Sequence, residues 1–540
     1  MEQEDNRWTC SILLRKGVYM DNNVSKNSMF SDLSDLEILR LSSGQKLLYN
    51  IAHAIKVIPR GLAGFFKGII SGIVNIFRLA GSEVKEVIQT FANGDWKTKL
   101  SFVVMGFGSI ARGQILRGIL FLLFEIVFIM YMFVAGGYWL GKFRTLGDTY
   151  AQNVYDPNLD TYVRVAGDDS FKIMLYGLLT VFFIIAFIYT WRLNVKQNKI
   201  AEDILKSGKK LKSGKDDLRS LMDDQFHKTL LALPTVGISL FTVFPIIFMI
   251  MVAFTNYDAA HDGYSNLFTW VGMDNWNSML FSSGGSDSVS YAFGEILTWT
   301  LIWAFFATFT NYFLGMGVAL MINKKGIRFK KMWRGILVLT SAVPQFVSLL
   351  YISKMFSTNG LANGLLMQVG IVKDLSTLIR FWDSTHLARV LVIVINIWIG
   401  IPYLMLIVTG ILMNIPADLY ESANIDGASA WQQFRKITLP YMLFVTGPYL
   451  LTSFIGNLNN FNVIYLLSGG GPTNPDLLTT AGSAGDTDLL ITWLFKMVTG
   501  AESKYYMASI IAIMIFLVVS VISVIVYNVI PSTRNEEDFS

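Results

Sequence analysis

The sequence predicts an all-α polytopic membrane protein with about eight transmembrane helices. Three observations carry that prediction. Of the 540 residues, 53% are hydrophobic and only 15% charged, against roughly 25% charged in a soluble domain. The charges are clustered, so long runs are almost free of them. Those runs reach the roughly 20 residues that a helix needs to cross hydrocarbon with its backbone polar groups satisfied internally.

Eight segments qualify, at about 116–140, 171–191, 230–254, 293–322, 335–353, 387–411, 441–467 and 506–530. An even number places both termini on one side, and lysine and arginine set which side that is. The stretch 192–228 holds ten of them and 324–334 holds six, whereas 255–292 holds none. This contrast predicts 192–228, 324–334, 412–440 and both termini in the cytoplasm. The segments 141–170, 255–292, 354–386 and 468–505 then face outside.

The chain divides accordingly into a cytoplasmic extension at 1–100, two spans and a basic loop at 101–229, and a multi-span region at 230–540. Within the extension, residues 47–82 mix apolar residues with Lys56, Arg60, Lys67 and Arg78. They read as a basic amphipathic helix on the inner leaflet or as a further span. The polar stretch "MEQEDNRWTC" predicts no cleavable signal peptide.

Several function classes find no support. One cysteine, Cys10, excludes an internal disulfide. The four histidines are scattered, and no metal-ligand spacing appears. The net charge of +5 needs no nucleic-acid partner, since basic loops at the inner membrane surface explain it. "GKKLKSGKD" at 208–216 has the wrong glycine spacing for a phosphate-binding loop, and Asp216 stands where Ser or Thr should follow the lysine. Few ionisable residues lie within the spans: Glu125, read as a helix-packing hydrogen bond, and Glu295. An autonomous secondary transporter, the reading from a different class, would commit several buried charges to its pathway. The chain therefore reads as holding no energy source or cofactor of its own.

The polar segment 416–440 contains "YESANIDGASAWQQFRKITLP" between two apolar runs. Asp418, two residues after Pro416, is placed to cap a short helix, with Glu421 at capping-box spacing. Ala423, Gly427, Ala428 and Ala430 leave room for another surface to approach, a bend is expected near Gly427, and Pro440 marks the start of the next span. Glu421, Ser422, Ala423, Gly427, Ile437 and Pro440 resemble the EAA motif of binding-protein-dependent ABC importer permeases. The DGA and ITLP continuation is similar to the MalF-like sugar permeases of the maltose/maltodextrin type. Ser422 replaces the usual alanine and is also small.

The resemblance covers roughly residues 100–540. It implies the ABC type I importer permease fold, with a five-helix core at about 293–530, in a bacterial cell membrane. Residues Glu421, Ser422, Ala423, Gly427, Ala428, Ile437 and Pro440 would couple to an ABC ATPase dimer, which binds the ATP and magnesium. A MalG-like second permease and an extracytoplasmic sugar-binding protein are the other implied partners. An insertion found between the third and fourth spans in the enteric branch of the family is absent here. The outer rim is therefore expected in short loops, including "FTWVGMDNW" at 268–276.

Within the seventh predicted span, Ser453, Asn457 and Asn460 fall at helical spacing on one face. Amides and hydroxyls suit sugar hydroxyls without a buried charge, and they equally suit interhelical hydrogen bonds. In the sixth span Pro402 predicts a kink, and Tyr403 offers a ring face for a pyranose. The resemblance places Ile399, Gly400, Tyr403, Ser453, Asn457, Asn460 and Asn462 at the sugar site, although Asn462 stands where the family has an apolar residue. The implied cargo is a malto-oligosaccharide, with another oligosaccharide or a glycerol phosphate as the alternative.

Overall fold

The computed structural model describes residues 78–211, 226–263, 266–281, 288–324, 326–479, 482–500 and 502–529, with isolated positions before and between them. The segment at 47–82 lies largely outside the described residues. Among the described residues, seven helices are long and apolar enough to cross a membrane. They are α1 (Ile115–Lys142), α2 (Ser170–Lys206), α3 (Phe226–Val252), α4 (Val289–Asn323), α7 (Thr385–Leu412), α9 (Ala430–Leu458) and α12 (Tyr505–Val529).

The fifth predicted span is not one helix. It is split into α5 (Lys330–Leu339) and α6 (Gln345–Met355), joined by a 3-10 turn at Thr340–Ala342 and an extended Val343–Pro344. Pro344 lacks an N–H and clashes with the carbonyl four residues back, and it pushes Val343 out of helical conformation. The seventh span is corrected in the same way. The helix expected over 441–467 ends at Leu458, and Phe461–Leu467 forms a separate short helix, α10.

Two small β-hairpins interrupt the predicted all-helical pattern. β1 (Gln152–Asp156) pairs antiparallel with β2 (Thr161–Val165), and β3 (Thr473–Thr479) pairs with β4 (Gly482–Gly485). The first follows α1 and the second follows α10, so both lie at the end of the bundle where α4 and α7 begin. The last short apolar helix, α11 (Leu490–Thr499), follows β4.

The buried apolar clusters hold α4, α7, α9 and α12 together. Tyr312, Met316 and Ala319 of α4 pack with Leu404, Met405 and Val408 of α7 and Met442 of α9. Nearer the hairpin end, Phe293 and Ile296 meet Trp493 and Met497 of α11 and Ile510 and Ile511 of α12. Small residues bring the helices close; a Cβ on Gly315 would press against the Leu404 side chain. α1 and α2 pack through aromatic rings, with Phe128 and Phe187 stacked at 3.9 Å between centroids.

The predicted basic loop after the second span begins as helix. α2 has 37 residues, about 55 Å at 1.5 Å each and well beyond one bilayer crossing. Its surplus binds residues 78–113. Trp191 Nε1 donates to the Phe102 carbonyl at 2.9 Å, and Asn194 both donates to the Ser101 carbonyl and accepts from Gly106 N. Arg112, almost wholly buried, contacts Asp95 at 2.5 Å and Asn198 at 2.9 Å. Glu125 accepts from Met105 N at 2.8 Å, so this intramembrane carboxylate serves packing. Part of the polar N-terminal region is thus a docked cap on α2.

Candidate functional site

The segment between α7 and α9 is folded into a short exposed elbow. α8 (Ala417–Ile425) starts at Pro416, and Asp418 lies in its first turn without a capping bond. The N-cap position is held by Pro416, so the capping bond predicted for Asp418 is not formed. The predicted bend is at Gly427, whose φ is +73°. Gly427 N donates to the Asn424 carbonyl and Ala428 N to the Ala423 carbonyl. This is a Schellman closure, which requires the left-handed conformation that glycine adopts without a Cβ penalty.

Ser429 then caps the next helix in a capping box with Gln432, a pairing visible in the spelling S-A-W-Q but not anticipated above. Gln433 Nε2 donates to Asn424 Oδ1 at 2.6 Å and ties the two arms together. The second arm runs without interruption into α9, through a π turn at Phe434–Thr438. The seventh span thus begins at Ala430, and Pro440 sits inside the helical run. The wider π turn directly before it accommodates a residue that cannot donate.

Glu421, Ser422, Gly427 and Pro440 are exposed, and Ala423, Ala428 and Ile437 are half-buried. Ile425 is 86% and Trp431 67% exposed. A cavity of about 370 Å³ beside it is lined by Tyr420, Trp431, Phe434 and Thr438.

A second cavity, of about 440 Å³, opens where the fifth span is split. Thr340, Pro344, Gln345 and Ser348 line one wall; Trp398, Ile399, Gly400 and Tyr403 line the other. Tyr403 is 58% exposed and presents its ring. The structure thus brings Ile399, Gly400 and Tyr403 together and adds polar groups from the helix break. The signal for those additions was Pro344 within an apolar run.

The other predicted residues lie apart from this cavity. Asn457 Nδ2 donates to Thr308 Oγ1 at 3.0 Å, its carbonyl accepts from Trp303 Nε1 at 3.1 Å, and its Oδ1 accepts from Asn460 at 3.2 Å. Asn460 caps α10 by accepting from Val463 N. Because the helix ends at Leu458, Ser453, Asn457 and Asn460 do not continue along one helical face. Ser453 is half-buried on α9, and Asn462 is exposed on α10.

Residues 311–535, which span the elbow and the cavity's α7 wall, match the family described as binding-protein-dependent transport system inner membrane component. The maltodextrin transport system permease MalC of Streptococcus pneumoniae is 32% identical over 442 residues, covering 80% of this chain and 95% of its own length. The chain belongs to this family of permeases. MdxF of Bacillus subtilis, also a maltodextrin transport system permease, is 32% identical over 82% of this chain and 97% of its own. GanP of Bacillus subtilis, a galactooligosaccharides transport system permease, is 33% identical over 79% of this chain and 95% of its own.

This permease is a multi-pass inner membrane protein, and its elbow lies at the end of α7 opposite the hairpins. The elbow is held to α9 by Tyr420 Oη, 2.9 Å from Thr438 Oγ1. Just before it, Asn323 at the end of α4 contacts Arg334 of α5 and donates to Thr409 of α7 at 3.3 Å. Through Asn323, α4, α5 and α7 are therefore linked to one another next to the exposed elbow.

Proposed function

We propose that this chain is one of two membrane-spanning subunits of an ATP-driven importer that moves malto-oligosaccharides by alternating access. The observation that carries the sugar reading is its similarity to maltodextrin permeases over 80–82% of its length. The elbow at 416–433 docks into a cleft of a separate ABC ATPase dimer, which binds ATP and magnesium. Closure of that dimer tilts α4, α5, α7 and α9 together and exchanges the side open to solute. The second subunit is MalG-like, and an extracytoplasmic sugar-binding protein delivers the cargo. Both termini and the elbow face the cytoplasm, and both hairpins face outward.

Sugar is held at the cavity of Ile399, Gly400 and Tyr403, with Trp398 and Tyr403 offering ring faces and Gln345 and Ser348 offering hydrogen bonds. Ser453, Asn460 and Asn462 lie outside this cavity on α9 and α10, and the bonds of Asn457 to Thr308 and Asn460 hold that region in register. No cationic side chain lines this cavity among the described residues, which disfavours a glycerol phosphate. A galacto-oligosaccharide is the second reading, favoured by the similarity to GanP.

The test is uptake of labelled maltotriose into proteoliposomes holding the complete importer. ATP-dependent uptake competed by maltodextrins, and not by galacto-oligosaccharides, is expected. Uptake without ATP would instead mark a secondary transporter.

A further inference from the structure

A separate cavity of about 230 Å³ lies at the hairpin end of the bundle, where α4 and α7 begin and the β3–β4 hairpin covers them. Glu295 and Trp299 of α4, Arg389 of α7, and Asn474, Asp476 and Asp486 from the hairpin region line it. It is distinct from the cavity at Tyr403. Arg389 stands about three helical turns, roughly 16 Å, from Gly400 toward the start of α7.

The walls are tied to one another while several polar groups remain uncommitted. Asp486 accepts from Thr385 at 2.5 Å and from Asn474 at 2.8 Å, fixing the hairpin to the start of α7. The Arg389 guanidinium lies 4.6 Å from the Trp299 ring centroid, and its Nε donates to the Asp486 carbonyl at 2.8 Å. Its terminal nitrogens have no protein partner among the described residues. Trp299 is 4% exposed, and its indole N–H is buried without a partner. Glu295 and Asp476 are exposed, and their carboxylates make no hydrogen bond or ion pair among the described residues.

An oriented guanidinium fork and free carboxylates lining one small cavity match a ligand rich in both donors and acceptors. Carboxylates outnumber the one arginine in this lining, which disfavours an anion. Neutral vicinal hydroxyls satisfy both kinds of group at once. We infer that this cavity is an outer saccharide subsite, which holds a terminal hexose of the incoming oligosaccharide while the rest of the chain extends toward Tyr403. The inference rests on the proposed sugar-import function. A disaccharide is too short to occupy both places, so the outer subsite acts on longer chains.

The experiment compares ATP-dependent uptake of maltose and maltotetraose by the reconstituted importer at saturating binding protein, for wild type, Glu295→Gln and Asp476→Asn. Both side chains are exposed and unbonded, and assembly is verified by size exclusion. Removing one hydrogen-bonding charge should raise KM for maltotetraose about five- to tenfold, with KM for maltose and both kcat values unchanged. An equal shift for the two sugars, or none in either, overturns the subsite. A wild-type importer that moves neither sugar with ATP retires the sugar-import reading itself; a working wild type with unshifted variants retires the subsite alone.

Discussion

Gly400 of α7 packs directly on the Asn311 side chain of α4, leaving no room for a Cβ on Gly400. Asn311 is itself buried, and its Nδ2 donates to the Asn396 carbonyl at 3.4 Å. The contact sets the spacing of two membrane helices beside the cavity at Tyr403. Gly400→Ala should therefore force α4 and α7 apart at a cost of about 1–3 kcal/mol. A lower melting temperature in detergent and reduced transport are expected, with Asn311→Ser restoring part of both. An unchanged melting temperature would show that the contact yields easily.

Gly427 tests the elbow. Nothing lies within 4 Å of a Cβ built there, so only its φ of +73° demands glycine. Gly427→Asn, which tolerates the left-handed region, should retain sugar-stimulated ATPase activity, and Gly427→Ala should cost about 1 kcal/mol locally. Gly427→Pro removes both the conformation and the N–H, and it should abolish stimulation while the complex still co-purifies. Transport by the proline variant would refute docking through this bend.

Asn457 joins α9 to α4 through Thr308 and to α10 through Asn460. Interhelical hydrogen bonds of this kind are worth about 0.6 kcal/mol on average and up to about 1.7. Asn457→Ala should lower the melting temperature of the permease with little change in KM for sugar. A large KM increase at unchanged stability would assign the amide to the sugar instead.

The long spans and the elbow were legible in the sequence because hydropathy, charge asymmetry and glycine placement act locally. Pro344 announced the split in the fifth span, but an apolar run of sufficient length concealed it. The end of α9 at Leu458 carried no such mark: Asn459 and Asn460 look like amides on a helix until the cap on α10 is seen. The β1–β2 hairpin hid in "QNVYDPNLDTYVRV", where short strands flank a turn-forming Asp-Pro-Asn. The outer cavity was illegible for a different reason, because Glu295, Arg389 and Asp476 come together only through the packing of α4, α7 and the second hairpin.

Asp168 anchors the base of the first hairpin. It bonds Lys142 at 2.7 Å and accepts from the backbone N–H groups of Asp148 and Thr149 at 3.1 Å. Burial pushes its carboxyl up, but the bonds from Lys142 and these two N–H groups outweigh burial and hold its pKa below the ordinary carboxylate value. A native pKa lowered in this way contributes stability in full above the unfolded value near 4, and that stability is lost as pH falls through the native one. Asp168→Asn should thus cost about 2 kcal/mol at pH 7, and the difference in melting temperature from wild type should shrink as the pH falls below 4. A difference independent of pH would assign the effect to packing.

The most direct measurement of the central claim is cross-linking from the elbow to the ATPase. Ile425→Cys, in a chain whose single natural cysteine Cys10 is replaced by serine, places a thiol at the most exposed apolar position of the elbow. In membranes containing the assembled importer, the thiol alkylated with a benzophenone maleimide and irradiated should form an adduct with the ATPase subunit, identified by mass. An intact complex in which Ile425→Cys reaches no ATPase, while cysteines elsewhere on the chain do, would contradict docking through residues 416–433.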